Sequence, residues 1–554
     1  MTGVVELADE LFGVLIGAEP LTATMLGVPG YDDRLSDFTE DGERAVGERL
    51  ADLAQRARAL DPDALSADDR TTRAVIIQQA EATMDRIECR LVEYTVASSF
   101  LAPVGEVLSV LPTASVSSQD QAEAYLTRLR AVPAFLDAIA ARHRMGIAAG
   151  RVPVARLVRA AIEQLDAYAA SPDQDPFLRP EPAEGNENFV ADRERVLAEL
   201  VRPALAGYRE VLATEVLPHG RPDDRPGLSW LPEGEQVYAA LSRLHTTTDR
   251  TPDELHETGL RLVADLAREY IALGTKTMGT DDLQQIFANL RTDPALRWNT
   301  EDELLDAARE AISRASKAAP SWFGLRPSHE CQVEAVPAVE AAGSPGAYYM
   351  PASMDGERRG TYFANTDKVT ERFRYTAEAT AFHEAVPGHH FQFTISQELP
   401  DLPLLRRTAP VTSYIEGWGL YTERLAEEMG LYSGDVARFG MLTLDSMRAA
   451  RLVVDTGLHA KGWSRQQAID FMRDNTAMAP MEIESEVDRY VAAPGQALAY
   501  MVGRLEIQRL RAEAEQALGE RFDIRAFHDL VLAGGPLPLS TLAEVVTDWI
   551  AAQV

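Results

Sequence analysis

The sequence predicts a mostly α-helical protein with two helical lobes and a small mixed β-sheet lining a central cleft. Three observations predict it. Apolar residues recur at spacings of three and four along most of the chain. Strand-like alternation is confined to about residues 331–365. No fixed-period repeat is visible, which disfavours a solenoid. With 554 residues, 46% of them apolar and 25% charged, the chain can build a large core. Length alone would allow three or four domains, but helical proteins of this size also form one two-lobed body.

The first residues, MTGVVELADELFGVL, place Glu6, Asp9 and Glu10 among apolar positions. They read as an amphipathic helix rather than a signal peptide. Long antiparallel helices follow, for example over 71–94 and 119–149, broken by a Pro-rich turn at 171–184. The stretch 218–232, PHGRPDDRPGLSWLP, reads as a hinge between an N-terminal helical lobe (1–225) and a second lobe (226–554). Helical texture resumes at Thr251-Pro252-Asp253-Glu254, which supplies a capping Thr, a Pro at the first helical position and an acidic first turn. CQVEAVPAVEA, from Cys331 to Ala341, alternates like a strand. GAYYMPASMDGERRGTYFANT, from Gly346, reads as two short strands around a turn. From Glu371 onward helices dominate again.

Acids outnumber bases 86 to 54, a formal charge of −32. Such a surface repels phosphate backbones and anionic lipid, so neither nucleic acid nor membrane is expected as a partner. No apolar run approaches 18 residues. Cys89 and Cys331 are the only cysteines, too few for a disulfide framework, and a reducing cytoplasmic location is expected. A Gly-rich phosphate loop and a GxSxG elbow are both absent, and neither Cys lies in a reactive context, which sets nucleotide, serine and cysteine chemistry aside.

Chemistry concentrates in Ala381–Gln392, AFHEAVPGHHFQ, where three of the ten histidines fall. In a HExxH helix two histidines stand one turn apart, ~6 Å along the axis, and bind one zinc. Here His389 and His390 follow His383 by six and seven residues. On a straight helix six residues rotate ~600° and seven advance ~10 Å, so neither shares a metal with His383. Pro387 removes an N–H and clashes with the carbonyl four residues back, and Gly388 tolerates the resulting bulge. If two residues loop out, His389 becomes the second ligand, the preferred reading. If three do, His390 does. Glu416, 33 residues after His383 in VTSYIEGWGLYTERL, suits a third ligand on a returning helix. Glu423, seven residues on, shares its face and can accept the other N–H of a ligand histidine. Glu378 is a weaker ligand candidate. Glu384 would be the general base.

Five ordered segments carry a family likeness: GAYYMP…GTYFANT, HEAVPGHHFQ, YIEGWGLYTERL, DTGLHAKGW and RYVAAPGQALAYMVG, over roughly residues 343–505. They resemble the bacterial "domain of unknown function 885" proteins. Weaker likenesses at PLTATMLGVPGYDDRLSDF and LPEGEQVYAALSRLHTTTDRTPDELHETGL extend it over nearly the whole chain. The resemblance implies a metallopeptidase-like fold of the gluzincin type, a Zn2+ cofactor and short peptides as substrates.

Beside that resemblance, His459, Arg489 and Tyr490 are expected to complete the site as oxyanion donors and a carboxylate clamp. Tyr348, Tyr349 and Tyr500 are candidate substrate contacts, the first two flanking a peptide added as a strand. Arg448 and Arg451 are expected to hold Asp445 or Asp455 in an ion network. The expected activity is zinc-dependent hydrolysis of short peptides through an activated water. Alternatives are hydrolysis of a non-peptide amide or ester by the same site, and a binding protein without turnover.

Overall fold

A computed structural model of the chain describes residues 3–99, 101–182, 186–337, 341 and 345–553. Helices dominate the described residues. Helix α1 (Val4–Ala18) buries Val4, Leu7, Ala8, Leu11 and Phe12, the three-and-four spacing of its sequence. Helices α2 (Glu40–Arg58) and α3 (Ala67–Glu88) start on Thr39 and Ser66, whose hydroxyls accept from Gly42 N and Asp69 N. Helix α4 (Gln119–Ala148) opens on a Ser118/Gln121 capping box, and α5 (Pro252–Met278) on one from Thr251 and Glu254, with Pro252 in its first turn as the sequence predicts. The expected 171–184 turn contains two short 3-10 turns, at 172–174 and 176–178, and residues 183–184 lie outside the described residues.

Three strands form one mixed sheet: β1 (Gln332–Ala335), β2 (Ala347–Met350) and β3 (Thr361–Ala364), in the order β1-β3-β2. β1 runs parallel to β3 and β2 antiparallel to it, with Tyr349 opposite Tyr362. The strand expected over 331–341 is realised at 332–335; residues 338–340 lie outside the described residues. The site helices are α6 (Ala377–Glu384), α7 (His389–Gln397), α8 (Thr412–Glu428), α9 (Asp435–His459), α10 (Pro480–Ala492) and α11 (Ala499–Leu518).

One apolar cluster crosses residue 225, while another lies wholly before it. Val4, Leu7 and Leu11 of α1 share a core with Phe391, Trp418 and Ile507. A second core joins Val92, Leu129 and Phe135 to Leu197 and Leu212. The 218–232 stretch, expected to be a hinge, is bound to the body. Arg221 Nε donates to Val152 O at 2.9 Å, Arg465 N to Asp223 O at 2.9 Å, and Leu228 N to His459 Nδ1 at 3.1 Å. Proline and glycine content predicted irregular backbone correctly there, but carried no information about these distant partners.

Candidate metal centre

Helix α6 stops at Glu384 because Pro387 cannot donate to the carbonyl of His383 and its ring would clash there. The chain turns through Ala385–Gly388 and restarts as α7 at His389. The turn requires glycine at 388: a Cβ would lie 1.8 Å from His383 O and 2.4 Å from Phe382 O. Helix α8 supplies donors for carbonyls at the break. Trp418 Nε1 donates to Pro387 O at 3.0 Å, and Thr422 Oγ1 to Phe382 O at 3.1 Å.

This backbone brings the rings of His383 and His389 to a centroid separation of 4.8 Å at 86°. Their Nε2 atoms lie 3.5 and 3.4 Å from Glu416 Oε2. Among the described residues this is the one group of three His, Cys, Asp or Glu whose ligand atoms all lie within 4.8 Å of one another. Those separations are too long for hydrogen bonds. They match the ~3.3–3.4 Å edges of a tetrahedron whose arms are zinc bonds of ~2.0–2.1 Å. A His2Glu donor set of this kind leaves a fourth position open. The residues therefore fit a zinc ion.

Surrounding groups aim the ligands. Glu423 Oε1 lies 2.8 Å from His383 Nδ1, which places a proton on Nδ1 and, in the neutral ring, leaves the Nε2 lone pair facing the cluster. Gly419 makes room for that ring, since a Cβ there would stand 2.7 Å from its Cε1 and Nε2 atoms. Burial works against charge on His383, but Glu416, Glu423 and Glu384 together hold its pKa up to about 10. Burial would raise Glu416, but the two histidines keep it well below the usual carboxylate range. Three carboxylates surround the two imidazoles, an arrangement that favours a cation there, whether a protonated ring or a bound ion. Glu423→Gln is expected to weaken zinc binding by roughly 10–100-fold in a competition titration with a chromophoric chelator. Undiminished affinity would show that the Glu423 contact is incidental.

His390 points elsewhere. Its Nδ1 accepts from Tyr349 Oη at 3.0 Å and its Nε2 donates to His329 O at 3.0 Å. Burial pushes its pKa down to about 4. Of the two candidates, His389 and not His390 joins His383 and Glu416. Glu384 turns its Oε2 to the Tyr349 N–H at 3.0 Å. Glu378 accepts from Arg314 and from Ser433 N and takes no place in the cluster.

The family model described as "Bacterial protein of unknown function (DUF885)" matches residues 20–546. The chain belongs to the DUF885 family. No curated protein matches it. Its fold is similar to that of a "putative lipoprotein" from Colwellia psychrerythraea, with a TM-score of 0.91 at 24% identity over 100% of both chains. It is also similar to a "putative lipoprotein of unknown function" from Shewanella oneidensis, with a TM-score of 0.73 at 18% identity over 99% of this chain and 100% of that one. These findings correct the cytoplasmic location expected from the sequence, because both solved neighbours are described as lipoproteins, a lipid-anchored class. The expectation rested on two unpaired cysteines, and a chain with this much core needs no disulfides in any compartment. Among the described residues no helix of the DUF885 chain is long and apolar enough to cross a membrane.

Several expected site residues of the DUF885 chain have other duties. His459 ends α9 fully buried, accepting from Leu228 N at Nδ1 and donating to Tyr490 O from Nε2 at 3.0 Å. Burial lowers its pKa to about 3, and neither nitrogen is left for an oxyanion. Tyr490 is 1% exposed; its hydroxyl donates to Glu486 at 2.7 Å and accepts from Arg451 Nε at 3.1 Å. Tyr500, rather than Tyr490, lies beside His383. Its ring lies parallel to that of His383 at 6.4 Å and 24°, and its hydroxyl accepts from Arg489 Nη2 at 3.0 Å. The rings of Tyr348 and Tyr349 stack on Phe363 and Phe393, so β2 presents backbone rather than these side chains to Glu384.

Among the described residues Arg448 and Arg451 do not make the expected direct ion pair with Asp445 or Asp455, although Arg451 acts on Asp455 through space. Asp445 is held by Arg424 and Arg504, and Asp455 accepts from Tyr238 Oη and Gly495 N. Sequence reasoning missed Trp418, Gly419 and Thr422, although their spacing from Glu416 and Glu423 on one helix was the available signal.

Proposed function

We propose that this chain is a zinc-dependent hydrolase that cleaves short peptides, with a metallopeptidase-like, two-lobed architecture whose cleft runs past the β2 edge. The observation that carries this reading is the convergence of His383 Nε2, His389 Nε2 and Glu416 Oε2, with Glu384 next in sequence and held by β2. When bound, zinc supplies Lewis acidity toward a carbonyl and toward water.

The chain's own groups do the rest. Glu384 Oε2 is engaged by the Tyr349 amide, which leaves Oε1 to take a proton from water and return it to the leaving amine. The Tyr500 hydroxyl accepts from Arg489, so its own proton points away from that guanidinium and can donate to a developing oxyanion. Tyr349 N lies on the side of β2 away from β3, and β2 ends the sheet, so an extended peptide can pair along that edge.

Protein purified without chelator is expected to hold about one zinc per chain by elemental mass spectrometry. Peptide cleavage should vanish after dialysis against 1,10-phenanthroline and return on titration with zinc. Cleavage that persists in zinc-free protein would overturn the reading.

A further inference from the structure

We infer that Arg448, Arg451 and Arg489 form a binding site for a substrate carboxylate lying within about three residues of the bond that is cut. This rests on the hydrolase reading above and names the chemical class of its substrate. The three guanidinium groups surround one ring. Arg451 Cζ lies 4.4 Å from the Tyr500 centroid and Arg448 Cζ 5.6 Å, while Arg489 Nη2 donates to the Tyr500 hydroxyl. The same ring stacks on the ligand His383.

One carboxylate meets these cations: Glu486 lies 2.7 Å from Arg451 Nη2 and 3.5 Å from Arg489 Nη1. Asp445, one turn before Arg448, is engaged by Arg424 and Arg504, and Asp455 by Tyr238 and Gly495. Glu482, one turn before Glu486 on α10, is exposed and is influenced by Arg372 and Arg297. Arg448 is 8% exposed and makes no ion pair among the described residues. Its Nη1 reaches only Leu444 O at 3.5 Å, and its buried Nε donates to nothing. Arg451, 2% exposed, has an equally unpartnered Nη1.

Burying guanidinium N–H groups without acceptors is strongly unfavourable, and a carboxylate, with two oxygens matched to the guanidinium fork, relieves it. In a protein of formal charge −32 this local excess of cations is a departure that core packing does not require. The path from these groups through Tyr500 to His383 is short enough for about three extended residues to cover. The carboxylate can be the free C-terminus of a peptide or an Asp or Glu side chain near the cut.

Calorimetric titration of zinc-loaded Glu384→Gln, which removes the proposed base, separates these sources. The probes are pools of N-acetylated tetrapeptides: neutral free acids, the same sequences as C-terminal amides, and amides ending in Glu. A carboxylate-bearing pool should bind at least ~10-fold more tightly than the neutral amides. The free-acid pool winning identifies the C-terminus, and the Glu-amide pool an acidic side chain. Arg448→Gln should erase most of the preference and Arg448→Lys retain part of it. Arg489→Gln, at a half-exposed position, repeats the test if Arg448→Gln fails to fold. Equal binding of the three pools, no binding of any, or a preference untouched by Arg448→Gln and Arg489→Gln overturns the inference. Wild-type digestion of the pools keeps the two readings apart. Carboxylate-dependent binding without cleavage would remove the hydrolase and keep this site. Cleavage indifferent to the carboxylate would do the reverse.

Discussion

Glu384→Gln is expected to leave zinc content at wild-type level and to lower kcat on a cleaved peptide by roughly 10²–10⁴-fold. Gln keeps the shape of the side chain and can still accept from the Tyr349 amide, so the turn between α6 and α7 has no reason to move. What disappears is a carboxylate able to take a proton. Because Glu384 is not among the converging ligand atoms, binding and turnover should separate in this variant. KM should change little if the lost interaction belongs to the transition state. Cleavage at the wild-type rate would assign the proton transfer to another group.

The second large effect is expected at Gly388. A Cβ would sit 1.8 Å from the carbonyl oxygen of His383 and 2.4 Å from that of Phe382, and backbone atoms cannot swing aside as a side chain can. Gly388→Ala should therefore push apart the helix end bearing His383 and the helix start bearing His389. Overpacking of this kind costs about 1–3 kcal/mol, readable as a fall in Tm. The diagnostic outcome is in the metal. Zinc affinity should drop by more than the ~10–100-fold expected on losing a supporting residue such as Glu423. A variant that binds zinc like wild type would show that the Ala385–Gly388 turn has slack which the geometry denies. Gly419→Ala offers a comparison, since there the obstruction is a ring rather than backbone.

What could be read in advance was what local chemistry decides. Helix starts at Thr251 and Ser118 follow from a capping residue and its partner three positions on, and both need only a short window. Pairing His383 with a histidine beyond Pro387 came from steric limits on the helix, and Glu416 was added from its spacing of 33 residues. Choosing between Tyr490 and Tyr500 required knowing how α10 and α11 rotate about the Pro494-Gly495 turn, which depends on partners such as Asp455 forty residues away. His459 was misread for the same reason: its acceptor and donor, Tyr490 O and Leu228 N, come from remote segments. The sheet was expected as mixed, but the parallel pairing of β1 with β3 across about 25 residues is a property of the assembled fold.

One helix, α8, presents Glu416 to the cluster, clears space at Gly419, fixes the proton of His383 through Glu423, and binds the broken backbone through Trp418 and Thr422. The linkage between metal and folding follows from this. Where a small domain has no other means of organising its ligands, ion binding and chain folding are one equilibrium and chelation denatures it. Here the ligand backbones are anchored by protein–protein hydrogen bonds and by a large apolar core, so the two equilibria are nearly separable. The ion should raise the melting temperature only by the mass-action increment set by its own concentration and affinity. Were zinc bound as proposed, the chain could exchange it, or wait for it, without unfolding.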